Sequence, residues 1–384
     1  MNQNIKTVGF IKNLYGSERF IPLHEPVFMG KEKEYVADCI DSTFVSSVGE
    51  YVTRFESLIA EYTGAKHAIA TVNGTAALHA ALLVGGVEAG DEVITQSLTF
   101  IATLNAINYC GAQPVFIDVD RDTMGLSAEK LEDFFCQKTH VKADGQCYNK
   151  VTGKRIRACV PMHTFGHPCR IDAIREICNK FGVILVEDSA ESLGSLYKER
   201  HTGTYGAMGV FSFNGNKVIT TGGGGMIVTD DDALAQRLKH ITTTAKVSHP
   251  YEYVHDMIGF NYRMPNLNAA LGVAQMEYLP LYLEKKRKIA AEYEIFFRSS
   301  GIGFVTEPDN SHSNYWLNAL AFNGQMERDA FLEYTNANGV MTRPVWKLMH
   351  RLEMFKQCQH ENLENAEWLE ARIVNIPSGV VHEK

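Results

Sequence analysis

The sequence predicts an α/β protein: a large domain built on a mainly parallel, seven-stranded sheet, then a smaller α+β domain. Three observations point there. Seven short apolar runs alternate with helix-length segments between residues 67 and 241, the rhythm of a sheet covered on both faces. One run, Val183 to Val186, is wholly apolar and ends in Glu187-Asp188, as a fully buried strand does. With 384 residues and 45% hydrophobic content, the chain can bury a large core.

Taken in order, residues 1–20 read as an N-terminal arm of weak periodicity. Lys31 to Ser42 and Glu50 to Tyr62 are helices; in the second, Tyr51, Phe55, Leu58, Ile59 and Tyr62 follow a 3.6-residue period and Gly64 ends it. Strands at His67–Val72, Asp91–Gln96 and Pro114–Val119 alternate with helices at Ala76–Val84, Thr99–Cys110 and Ser127–Phe135. Residues 137–156 are polar and turn-rich, a loop or hairpin inserted between units. The rhythm resumes with strand Arg157–Met162 and helix Asp172–Lys180. Strands Val183–Val186, Val210–Phe213 and Gly225–Val228 and helix Asp231–Ile241 complete a large domain over 21–265. A long helical pattern from Asn266 to Arg298, bent near Pro280, leads into the small domain, 266–384. Lys285-Lys286-Arg287-Lys288 on that helix reads as a solvated face rather than a nucleic-acid patch.

A formal charge of −8 disfavours nucleic acid or an anionic membrane as main partner. No apolar run approaches the ~20 residues of a membrane span, and the first residues lack a signal-peptide core. Eight cysteines show no C-x-x-C pair or disulfide-like clustering. The expectation is a cytoplasmic protein.

Candidate chemistry gathers where parallel sheets place ligands, at the C-terminal ends of strands. Asn73-Gly74-Thr75 opens a helix whose free N–H groups suit a phosphate, though any strand-to-helix turn can carry Gly-Thr. Asp188 is a structural cap, a metal ligand or the partner of a cationic ring nitrogen. Ser212 ends a strand, and Lys217 follows in Phe213-Asn214-Gly215-Asn216-Lys217; such a lysine is solvated, paired or a nucleophile. A phosphate anchor, a buried acid and an amine are together what pyridoxal phosphate requires. His163 and His167 have i, i+4 spacing, but Phe165-Gly166 and Pro168 make the segment a turn, so no metal is expected. His163 is expected to follow its strand into the cofactor pocket. Arg343, Trp346, Lys347 and His350 form a basic-aromatic cluster, either a contact for a diphosphate and base or a surface loop; Tyr315-Trp316 is a second contact or core.

These stretches resemble the DegT/DnrJ/EryC1/StrS sugar aminotransferases, of the fold-type I (aspartate aminotransferase-like) pyridoxal phosphate enzymes. The resemblance runs from about Pro22 to Pro377 through Asn73–Leu78, Thr99–Thr103, Glu187–Gly194, Phe211–Lys217, Gly259–Met264 and Thr342–Lys347. It implies that Lys217 forms the internal aldimine and Asp188 pairs with the pyridine nitrogen. Gly74, Thr75 and Ser212 would hold the phosphate, and Phe100 would stack on the ring. Glu191 stands where the family usually has glutamine near the ring hydroxyl. Asn261 would reach the phosphate of the neighbouring subunit's cofactor, making a homodimer with shared active sites. Asn214 and Gly223 depart from a frequent histidine and glutamate. Related dehydratases carry histidine at the lysine position, so Lys217 implies transamination.

The stretch Phe20–Pro26, with Phe44–Gly49, resembles the branch acting on UDP-linked 4-keto-6-deoxy sugars of bacillosamine and legionaminic-acid type, with glutamate as amino donor. Perosamine-type enzymes acting on GDP sugars share most motifs. An aminobenzoate or cyclitol aminotransferase, and a cofactor-binding regulator without turnover, are the rivals.

Overall fold

The computed structural model describes residues 3–381; the first two residues of the arm and the last three of the C-terminal domain lie outside them. Helix α1 (Gln3–Tyr15) is followed by α2 (Glu32–Asp41) and α3 (Glu50–Thr63), the last stopped at Gly64 in the left-handed conformation. Then come β1 (His67–Thr71), α4 (Gly74–Val84), β2 (Glu92–Gln96), α5 (Ile101–Tyr109), β3 (Gln113–Ile117) and α6 (Ala128–Lys138). The polar stretch after α6 is a hairpin, β4 (Thr139–Val141) and β5 (Cys147–Asn149). The chain continues with β6 (Arg155–Val160), α7 (Ile171–Phe181), β7 (Ile184–Asp188), a two-strand ribbon β8 (Leu196–Tyr197) and β9 (Arg200–His201), β10 (Met208–Ser212), β11 (Gly225–Thr229) and α8 (Asp232–Thr242).

The main sheet has the order β1-β11-β10-β7-β6-β2-β3, with the hairpin attached through β5 to β6. Every pairing along the main path is parallel except the two that β11 makes, with β1 and β10. One face is buried beneath α4, α5, α8 and α9; the other packs on α6 and α7, with Phe134, Phe135, Ile174 and Leu185 in its core. Helices on both faces explain why Val186, Val210 and Ile227 have no exposed surface.

A ribbon, β12 (Lys246–Val247) and β13 (Val254–His255), precedes α9 (Asn266–Phe297), a single 32-residue helix containing Pro280. Beyond it lie β14 (Gly303–Phe304), β15 (Ser311–His312), β16 (Asn318–Ala321), α10 (Gln325–Ala337), β17 (Arg343–Pro344), α11 (Glu364–Glu370) and β18 (Ile373–Ile376). An antiparallel sheet, β14-β16-β18-β17, organises this region, and β15 pairs back onto β8. The N-terminal arm is not an extension: Val8 and Ile11 of α1 share a core with Phe297, Leu320, Phe331 and Ile376. Among the described residues, no helix is long and apolar enough to cross a membrane, and no group of three His, Cys, Asp or Glu is placed to hold a metal.

Candidate active site

The parallel pair β7 and β10 brings Asp188 and Ser212 to the same end of the sheet, in the register Val210 opposite Asp188. The turn from β1 into α4 meets them there. Asn73 caps α4 by accepting the Ala76 N–H at 2.8 Å, which leaves the first N–H groups of the helix free for an anion. Gly74 packs onto Ser212 so closely that a Cβ would lie 3.0 Å from the Ser212 Cβ and 3.3 Å from its Oγ. The two form one small cradle, with Thr75 half-buried beside it.

Asp188 is buried. Its Oδ2 accepts from Thr103 Oγ1 at 2.6 Å and its Oδ1 from the Ala190 N–H at 3.2 Å. Burial lifts its pKa; these hydrogen bonds and the more distant charges of Lys217 and His163 oppose the rise. It has no ion-pair partner among the described residues, so it suits a further cationic donor such as a protonated ring nitrogen.

Lys217 follows β10 through the turn Asn214–Asn216, its N–H donating to the Asn214 carbonyl at 3.0 Å. Its side chain is 13% exposed, with Nζ 3.6 Å from Glu191 Oε1. Nζ also stands 4.1 Å from the centroid of the Trp316 ring. Burial raises the Glu191 pKa, and the Lys217 charge and the Phe165 N–H hold it down. On the floor of this region Lys286 is fully buried and donates to the carbonyls of Trp316 at 3.1 Å and Ser378 at 2.6 Å. Burial pulls its pKa down to about 7. His24 has two buried ring nitrogens without partners. Burial holds its pKa well below the usual histidine value, with the charges of Lys286 and Lys217 pressing the same way.

Phe100 is 48% exposed at the start of α5, 6.2 Å from Trp346, which in turn lies 5.0 Å from Phe165. Trp346 therefore adjoins the residue whose N–H meets Glu191, and Lys347 beside it is exposed. Asn261 is exposed on the segment that runs antiparallel to the end of β1.

Three expected residues point elsewhere. His163 turns to the opposite sheet face from Asp188, since successive strand residues alternate: its Nε2 lies 3.0 Å from Glu187 Oε2, and Nδ1 accepts the Cys169 N–H at 3.3 Å. Glu187 also accepts N–H groups of Gly203, Tyr205 and Gly206, so this is a structural buried acid. Tyr315 is buried and accepts the Glu307 N–H at 3.0 Å, edge-on to His167; its neighbour Trp316 is the residue that reaches Lys217. Arg343 is exposed and held by Asn336 Oδ1 at 3.0 Å and the Thr342 carbonyl. Thr103 was not among the candidates, Trp316 entered only beside Tyr315 as a contact or core, and Lys286, expected on a solvated face, is instead buried on two carbonyls. Thr99 and Thr103, one helical turn apart after an apolar strand, were the signal available for the first.

An α/β sheet with an anion cradle, an acid and a lysine at one end defines a fold-type I pyridoxal phosphate enzyme. The DegT/DnrJ/EryC1/StrS aminotransferase family profile matches residues 28–383, and the chain belongs to that family. It is a pyridoxal phosphate-dependent sugar aminotransferase. The chain is 38% identical to a GDP-perosamine synthase of Escherichia coli O157:H7, over 94% of this chain and 93% of the other. A GDP-perosamine synthase of Vibrio cholerae is 34% identical over 93% and 94%. Among solved structures, the aminotransferase TlmJ from Streptoalloteichus hindustanus superposes with a TM-score of 0.84 at 27% identity, covering 94% of this chain and 93% of that one. DesI, crystallised with its TDP-sugar product, gives 0.83 at 27%, covering 96% and 90%.

Proposed function

We propose that this enzyme moves an amino group from glutamate to C4 of a nucleotide-linked 4-keto-6-deoxy sugar, and that the sugar carries GDP. The GDP-perosamine synthases, similar over more than nine-tenths of the chain, support the guanine nucleotide. The UDP-linked branch read from Phe20–Pro26 and Phe44–Gly49 gives way to it.

The carrying observation is the convergence of Asp188, Ser212, Gly74 and Lys217 at the ends of β7 and β10. Bound there, pyridoxal phosphate supplies an electron sink for the negative charge left when a Cα–H bond breaks. Asp188 would accept the ring N–H and keep that nitrogen protonated. Gly74, Thr75 and Ser212 would hold the phosphate with two backbone N–H groups and a hydroxyl. Phe100 would cover the ring, and Glu191 would stand on the Lys217 side of it. The Lys217 amine anchors the cofactor, then takes the proton from the donor Cα and returns it to the neighbouring carbon. Glutamate would leave as 2-oxoglutarate, a water supplying its keto oxygen and its amino group staying on the cofactor; the keto sugar would then enter along Trp346 and Lys347 and take that amino group, releasing water. Asn261 would reach the cofactor phosphate held by a second subunit, which makes the working unit a homodimer.

Paired assays of the purified protein with GDP- and UDP-linked 4-keto-6-deoxy sugars, with glutamate as donor, test the assignment. The GDP sugar is expected to be aminated with the larger kcat/KM; preference for the UDP sugar overturns the nucleotide assignment.

A further inference from the structure

The Lys217 amine lies between two walls, an indole face 4.1 Å away and a carboxylate oxygen 3.6 Å away. Each wall is itself fixed. The Trp316 indole N–H donates to the Asn216 carbonyl, one residue before Lys217, at 2.6 Å. Its backbone N–H donates to Asn314 Oδ1 at 2.8 Å, and its carbonyl accepts from buried Lys286. Glu191 Oε2 accepts the Phe165 N–H at 2.9 Å, and Phe165 takes a positive φ of 58° to offer it. Asn314 joins the walls, because its Nδ2 donates to the Glu191 carbonyl at 2.9 Å. Gly166 alone permits this: at φ 94°, a Cβ there would stand 1.8 Å from Asn314 Oδ1.

We propose that Trp316 and Glu191 form a berth for the protonated Lys217 amine, with Trp316 a positioning residue of the transamination. An ammonium is attracted by both a π face and a carboxylate; a neutral amine gains little from either. When the donor Cα–H bond breaks, its electrons stay with the donor and cofactor and its proton goes to Nζ. The berth keeps that ammonium within reach until the proton is returned. The proposal rests on the reading of Lys217 as the reacting amine.

Competitive acetylation of the cofactor-free protein by acetic anhydride tests it. Labelling is read by mass spectrometry on the peptide carrying Lys217, with exposed Lys33 as internal standard. Only the unprotonated amine reacts. Near neutral pH, Glu191→Gln, an isosteric change that opens no space, is expected to label Lys217 about fivefold faster than the unaltered chain. Trp316→Leu is expected to do the same, while Trp316→Phe, which keeps a π face, stays within about twofold. In the loaded enzyme, Trp316→Leu is expected to slow the glutamate half-reaction with its half-saturating glutamate concentration unchanged. Unchanged labelling in Glu191→Gln, or equal labelling in the Leu and Phe variants, overturns the berth. Failure of the unaltered chain to capture pyridoxal phosphate at Lys217 instead overturns the functional reading; labelling is measured without cofactor, so the two failures are distinct.

Discussion

Asp188 carries the sharpest demand on a single side chain. Its carboxylate has two hydrogen bonds and a raised pKa, the state of a buried acid awaiting a cation. Asp188→Asn keeps its shape and removes the charge. The expected outcome is a protein that still captures the cofactor but loses at least about a hundredfold in the rate of the glutamate half-reaction, read by stopped-flow absorbance. Thr103→Val should cost less, about tenfold, because one hydrogen bond to a charged group is removed and the charge remains. At this scale Asp188 and Ser212 were legible in the sequence, because a polar residue closing an apolar strand has few places to go; Lys217, in the turn beyond β10, was singled out by the resemblance. His163 was legible in position and not in direction. It follows β6 as expected, but its ring serves Glu187, a buried acid on the other face whose need for a partner no spacing rule announces. Trp316 was hidden for a similar reason: in Tyr315-Trp316, nothing local tells which ring faces the lysine.

Among the elements, α9 carries a test with a defined sign. Lys286 has a folded pKa of about 7 against an ordinary value of 10.5. Between those values the unfolded chain binds the extra proton, so raising pH from 7 towards 10 stabilises the fold, and lowering it back towards 7 loses that stability. Lys286→Met removes this contribution. Its thermal midpoint is expected to rise less between pH 7 and 9 than that of the unaltered chain, by differential scanning calorimetry; parallel curves contradict the account. The helix α1 offers a second test. Ile11 has no exposed surface and packs in the C-terminal core, so Ile11→Ala should lower stability by about 2–4 kcal/mol in urea unfolding. This helix was missed because its buried positions, Thr7, Val8 and Ile11, are too few to set a period against the polar residues around them. The helices α3 and α9 and the seven strands were legible, since each helix is long and each strand is a short, largely apolar stretch set between turns.

Over the whole molecule, the reading requires two copies. Asn261 is exposed, and large apolar side chains at Phe44, Val48, Tyr109, Tyr253 and Ile258 are also exposed. The solution mass should be about twice 42.9 kDa by sedimentation. If Asn261 serves the other subunit, Lys217→Ala and Asn261→Asp proteins, each inactive, should regain about a quarter of normal activity when refolded together, because half the dimers are hybrids with one intact site. No recovery contradicts sharing. The most direct test of the central claim is reduction of the loaded enzyme with borohydride, followed by peptide mapping. The account predicts a pyridoxyl group on the peptide holding Lys217 and no turnover in Lys217→Ala. A label fixed at another lysine, or normal turnover in that variant, would contradict it.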